Sequence, residues 1–135
     1  MCRSDRRYLA NSGHNVDETL SVQAMHHLIL LGKQRPKLTW TVTKDDSLFM
    51  QTDTPPDEVA LWSVTNAEAR DFRIETTGPT WKAKAIPVGG AGAYHMPIPR
   101  PETGWTATFV EFQYDLGAST PFVATTVVFV RSPAP

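Results

Sequence analysis

Leu38-Thr39-Trp40-Thr41-Val42-Thr43 is the stretch that decides the fold. Leu38, Trp40 and Val42 fall on one side and Thr39, Thr41 and Thr43 on the other. That period of two belongs to a half-buried strand. Lys44-Asp45-Asp46-Ser47 reads as a turn, and Leu48 to Thr52 returns as a second strand, so the two make a hairpin. Thr54-Pro55-Pro56-Asp57 breaks the chain, and Val59 to Val64 is apolar on both faces, as a central strand is. Further strands are expected over Phe72 to Thr76 and from Trp81 to Ala85. After the Gly89-Gly90-Ala91-Gly92 loop comes Tyr94 to Ile98, which Pro97 and Pro99 confine to a sheet edge. Gly104 opens a long strand, Trp105 to Tyr114, and Phe122 to Arg131 closes the series. Turns arrive every eight to twelve residues, the spacing of an antiparallel sandwich. The expected architecture is mostly β: an immunoglobulin- or fibronectin-like sandwich of seven to eight strands over residues 36–135.

Ahead of the sandwich the period changes. Leu20, Ala24, Leu28 and Leu31 recur every three or four residues, one apolar stripe on an amphipathic helix over residues 15–33. Asn15 or Asp17 serves as N-cap, and Asp17 and Glu18 place negative charge at the positive helix end. Gly32 is the expected C-cap, and Pro36 forbids continuation. Before the helix, Arg7 to Leu9 reads as the end of a strand with no partner nearby in sequence.

The chain has 135 residues, the size of one compact domain, and buries about two-thirds of its unfolded surface without a disulfide or a metal. Thirteen basic against fourteen acidic residues argue against an unspecific nucleic-acid binder or a polybasic membrane binder. The apolar run Leu28 to Leu31 is far too short to span a bilayer, and no apolar stretch of a signal peptide follows Met1. A single cysteine, Cys2, excludes an internal disulfide framework and a multi-cysteine metal site. No cofactor is implied.

Candidate chemistry is sparse. His26 and His27 project about 100° apart on a helix and cannot grip one metal ion from one side, so they read as solvent-facing or rim residues. His95, on the edge segment, reads as a surface residue. Trp40, Trp62, Trp81 and Trp105 could line a sugar-binding face, but clean alternation favours core packing. The glycine-rich loop has no following helix and no lysine, so it is no phosphate cradle. His14 differs: it follows Arg7-Tyr8-Leu9 and an Asn11-Ser12-Gly13 turn and precedes the helix. Hydrolases of α/β architecture keep their general base between the last strand and the last helix, although any loop histidine has the same local surroundings.

Leu61-Trp62-Ser63-Val64-Thr65-Asn66-Ala67-Glu68-Ala69-Arg70-Asp71-Phe72-Arg73-Ile74-Glu75 resembles the hallmark stretch of the PhoPQ-activated pathogenicity-related protein family. That family also takes in the autocrine proliferation repressor protein of social amoebae. Gly78-Pro79-Thr80-Trp81 and Gly104-Trp105-Thr106-Ala107-Thr108-Phe109-Val110-Glu111 continue the likeness in order. Ala67 stands where the family has proline. The resemblance implies α/β-hydrolase domains followed by a C-terminal β-sandwich. On that reading residues 1–35 are the remnant of a hydrolase-like domain: its last strand, histidine loop and last helix. His14 then matches the triad histidine of a Pro-Asn-x-x-His pattern, with Ala10 in place of the proline. The nucleophile and acid of such a triad would precede Met1, and no Gly-x-Ser-x-Gly elbow occurs in these residues. The expected role is therefore a non-catalytic structural or binding module whose partner is an upstream hydrolase domain. The alternative is the tail of a secreted or periplasmic serine hydrolase in which His14 is the general base. A signalling role would require a receptor that these residues do not name. Residues 1 to about 33 are expected to be poorly anchored or to dock partly on the sandwich.

Overall fold

The computed structural model describes residues 2–4, 7–11, 19–89, 91–117 and 120–135. Their elements are β1 (Cys2–Ser4), α1 (Thr19–Leu30), β2 (Leu38–Val42), β3 (Ser47–Thr52), β4 (Glu58–Asn66), α2 (Ile74–Thr77), β5 (Lys82–Ile86), β6 (Ala93–Pro97), β7 (Trp105–Tyr114), β8 (Phe122–Thr125) and β9 (Phe129–Arg131). One sheet has the order β1-β2-β3-β6. The other runs β5-β4-β7-β8, with β9 also paired to β7, and every pairing is antiparallel. The fold is a mostly β sandwich preceded by a helix.

The alternation in Leu38 to Val42 has the consequence expected of it. Leu38 is fully buried, Trp40 packs its ring edge-on to Phe129 at 5.3 Å, and Val42 at the strand end is open. Leu48, Met50 and Tyr94 of the first sheet meet Val59, Val110, Phe112 and Tyr114 of the second in one core. Tyr94 sits edge-on to Phe112 at 5.3 Å, the preferred geometry for aromatic neighbours. Tyr114 joins the sheets through a 2.7 Å hydrogen bond between its hydroxyl and that of Thr52, and burial pushes its phenol up to about 12. A second cross-sheet tie lies at the β2–β3 turn. Asp46, at φ 59°, accepts hydrogen bonds from Arg131 Nε and one terminal nitrogen at 2.8–3.0 Å and from Arg100 at 2.9 Å. The two guanidinium groups, Arg131 foremost, hold its carboxyl below the usual carboxylate range.

β4 is central, between β5 and β7, as an apolar two-faced strand should be, and β6 is an edge. Three expectations need correction. Phe72 to Thr76 is not a strand but leads into the short helix α2. There the Asp71 carboxylate takes the Arg73 N–H and the Thr76 hydroxyl, and Gly78 at φ 66° closes the turn with a 2.8 Å bond to the Ile74 carbonyl. Phe122 to Arg131 is broken into β8 and β9 around Thr126, whose hydroxyl replaces a ladder partner for the Val110 N–H at 3.0 Å. Arg7 to Leu9 is not a strand; the N-terminal strand is Cys2–Ser4, and it pairs with β2 of the sandwich. With β3 on its other side, β2 has one open edge, and β1 pairs with it.

Of the expected stripe, Ala24 and Leu28 in α1 are buried, whereas Leu31, just past its end, is half exposed. Asn15 and Asp17 lie outside the described residues. Gly32, at φ 63°, ends the helix with the paired bonds of a Schellman motif: Lys33 N–H to the Leu28 carbonyl at 3.1 Å and Gly32 N–H to Ile29 at 3.2 Å. The Lys33 ammonium then caps the Leu116 carbonyl beyond β7.

Candidate functional site

The register of β4 on β7 pairs Trp62 with Phe109 and Val64 with Ala107, on the face of the sheet turned away from the core. At the Trp62–Phe109 end this outer face is apolar, whereas Glu58, Glu111 and Gln113 make its other end polar. Phe109 is 1% exposed, and Trp62 stacks on it at 6.2 Å with 16° between the planes. Trp81, at the entry to β5, lies 5.4 Å from the same ring, and Tyr8 closes the group at 6.1 Å. Trp62 and Trp81 thus belong to an aromatic nest outside the inter-sheet core, and only Trp40 packs against that core.

The N-terminal segment is fastened to the nest by polar contacts. The Asn11 side chain donates from Nδ2 to the Trp81 carbonyl at 3.2 Å and accepts the Trp81 N–H at 3.0 Å. This two-point clamp satisfies one residue's whole backbone as a neighbouring strand would. Asn11 sits at φ 55°, a left-handed conformation that asparagine tolerates better than most residues. The Tyr8 N–H donates to the Thr125 hydroxyl at 3.0 Å, and Arg7 donates to Ser21 Oγ of α1 at 2.7 Å. Between segment and sheet lies a cavity of about 170 Å³ walled by Tyr8, Asn11, Phe72, Ile74, Trp81 and Phe109. A wider cleft of about 460 Å³ opens on the same sheet where Ala60, Ala83 and Ala85 leave its floor low.

Three polar side chains of the hallmark loop, Asn66, Asp71 and Arg73, bond within the loop itself. Asn66 Oδ1 accepts the N–H groups of Glu68 at 3.0 Å and Ala69 at 3.1 Å, while its Nδ2 donates to the Asp71 carbonyl at 2.8 Å. Arg73 grips the Asp71 carboxylate with Nε at 2.9 Å and a terminal nitrogen at 2.7 Å. That grip, helped by Thr76, holds Asp71 well below the usual carboxylate range. Gly104, at φ 76°, passes so close that a Cβ there would lie 2.2 Å from the Asn66 carbonyl oxygen. Any side chain at that position must push the loop away.

His14 lies outside the described residues. His26 and His27 have ring centroids 6.4 Å apart with planes tilted by 53°, and His95 is exposed on β6. No group of three or more His, Cys, Asp or Glu residues able to hold a metal occurs among the described residues. No helix there is long and apolar enough to cross a membrane. Sequence reasoning missed the partnership of Tyr8, Asn11, Trp81 and Phe109. Seventy positions separate Asn11 from Trp81, and an asparagine in a turn carries no mark of its partner.

A family model described as PhoPQ-activated pathogenicity-related protein matches residues 3–73, a span that takes in the N-terminal segment, α1 and most of the hallmark loop. Autocrine proliferation repressor protein A of Dictyostelium discoideum is 28% identical over 120 residues. The alignment covers 76% of this chain and 24% of that protein's length. No solved structure matches.

Proposed function

The chain belongs to the PhoPQ-activated pathogenicity-related protein family, and on that footing we propose that it is a non-catalytic structural and binding module: a β-sandwich that receives a preceding polypeptide body on the outer face of the β4–β7 sheet. The observation that supports this reading is the Asn11–Trp81 clamp beside the Tyr8–Phe109 contact. An apolar patch around Phe109, roofed by the preceding segment, is built to hold a neighbour. Asn66, Asp71 and Arg73 of the hallmark loop are engaged in its own turns, which supports a scaffold role for those residues. The upstream hydrolase-like domain is the proposed partner.

A second reading concerns His14. Leu9-Ala10-Asn11-Ser12-Gly13-His14 lies inside the matched span, and the chain three residues earlier is tied to the sandwich. In a longer protein His14 would be the general base that takes a proton from a serine hydroxyl, with an upstream acid to orient it. Hydrolysis of p-nitrophenyl acetate distinguishes the two readings. The 135-residue chain should give no turnover above buffer. A longer form with the upstream region should turn over only if the second reading holds, and His14→Ala should then abolish the rate. Turnover by the short chain itself would overturn the module reading.

A further inference from the structure

The cavity under the N-terminal segment is walled by four aromatic rings: Tyr8 of that segment, Phe72 of the hallmark loop, and Trp81 and Phe109 of the sheet. Trp81 and Tyr8 meet Phe109 with planes tilted by 48° and 38°, so the three rings splay instead of stacking shut. The hallmark loop gives the cavity its apolar positions. Arg73 is exposed and grips Asp71, while Phe72 and Ile74 on either side of it are half-buried and line the space. Among the described residues no charged side chain lines it. Two polar groups of its walls are engaged elsewhere: the Asn11 amide on the Trp81 backbone and the Tyr8 N–H on Thr125. Interior packing leaves few voids larger than one water, and an apolar cavity of about 150 Å³ stays dry and takes up a benzene-sized molecule. This one measures about 170 Å³. We propose that it binds a neutral molecule carrying a single aromatic ring.

Ring geometry and charge both select this ligand. Tilted rings with centroids 5.4 and 6.1 Å apart present faces and edges together, which an incoming ring meets edge-on or offset. A quaternary ammonium ion is the other guest that aromatic walls attract. It would lose its water there with no lining carboxylate to offset the loss, since Asp71 is held by Arg73. The site needs no upstream domain, so it stands or falls apart from the module reading.

Titration of the full chain with p-cresol, followed by heteronuclear NMR, tests this. The Trp81 indole and Ile74 methyl signals should move together and saturate with a Kd on the order of 0.1–1 mM, the range open to a ligand of so few atoms. Ile74→Trp, which puts an indole into the space, should weaken binding at least about tenfold. Should that variant fail to fold, the wild-type Trp81 and Ile74 signals locate the site on their own. Cyclohexanol and choline should bind about three- to tenfold more weakly than p-cresol. The proposal is overturned by p-cresol that does not saturate, by shifts confined to other residues, or by undiminished binding in folded Ile74→Trp. Cyclohexanol binding as well as p-cresol, or choline binding better, overturns it too.

Discussion

The inner and outer faces of the β4–β7 sheet each bury an aromatic centre, Phe112 and Phe109, yet the two are closed by different means. On the inner face Val110, Phe112 and Tyr114 meet a complete second sheet, whose own backbone is held in register by its ladder. On the outer face Phe109 is covered by Trp62, Trp81 and Tyr8, and Tyr8 belongs to a segment held by side-chain hydrogen bonds and without strand structure. Sheet-on-sheet packing closes the first face, and two tryptophans with a strap lacking strand structure close the second. The contrast teaches that a buried aromatic can belong either to the fold or to a docking surface. What covers it decides which.

Phe112→Ala against Phe109→Ala is the sharpest way to break that comparison. Phe112→Ala should cost about 3–5 kcal/mol of global stability in urea unfolding, since no segment can collapse into the space between two sheets. Phe109→Ala should cost about half as much globally. It should also release the N-terminal segment to limited proteolysis while the sandwich still melts as one unit. Equal global losses with no change in cleavage would make the outer nest a second core and end the distinction.

Asp46→Asn probes the tie between the two sheets, and asparagine keeps the left-handed turn accessible, so the change removes charge rather than backbone fit. A loss of about 1–2 kcal/mol is expected at pH 7. Because the folded carboxyl lies below its unfolded value of about 3.9, its contribution is fully present above that value and fades as pH falls through the lower, folded one. Wild type and variant should therefore converge in stability once the pH has fallen below the folded carboxyl's own titration. A gap that stays constant down to acid would assign the effect to something other than this ion pair.

The smallest effect is a gain. Thr108 lies on the inner face of β7, 2% exposed, and its hydroxyl has no hydrogen-bond partner. Thr108→Val keeps the shape and removes the unmet polar group, so the melting midpoint should rise by the equivalent of about 1 kcal/mol. A loss instead would show that the hydroxyl is satisfied and the inner face less dry than its packing indicates.

The sandwich was legible in short-range pattern alone. Leu38, Trp40 and Val42 at a period of two, the prolines around β6 and the apolar run of β4 each report a local constraint, and strands and edges follow from such constraints. Gly32 as a helix end was legible for the same reason, since a left-handed residue followed by Pro36 leaves the helix no continuation. Phe72 to Thr76 was misread because its helical turn is imposed by the Asp71 side chain, whose hold on Arg73 and Thr76 no alternation of apolar residues records. The break at Thr126 was hidden likewise, because a hydroxyl standing in for a backbone carbonyl leaves the β pattern intact.

By itself, then, the sequence determined a mostly β chain with one preceding helix, because periodicity and turn chemistry act within a few residues of each other. Tertiary structure alone decided that Cys2–Ser4 would join the sandwich and that Trp62 and Trp81 would face outward to Tyr8 and Asn11. It also decided that one side of α1 would stay open. The physical reason is one of range. Which face of a two-sided strand is inner depends on where the second sheet lies, and that is fixed by contacts between residues tens of positions apart.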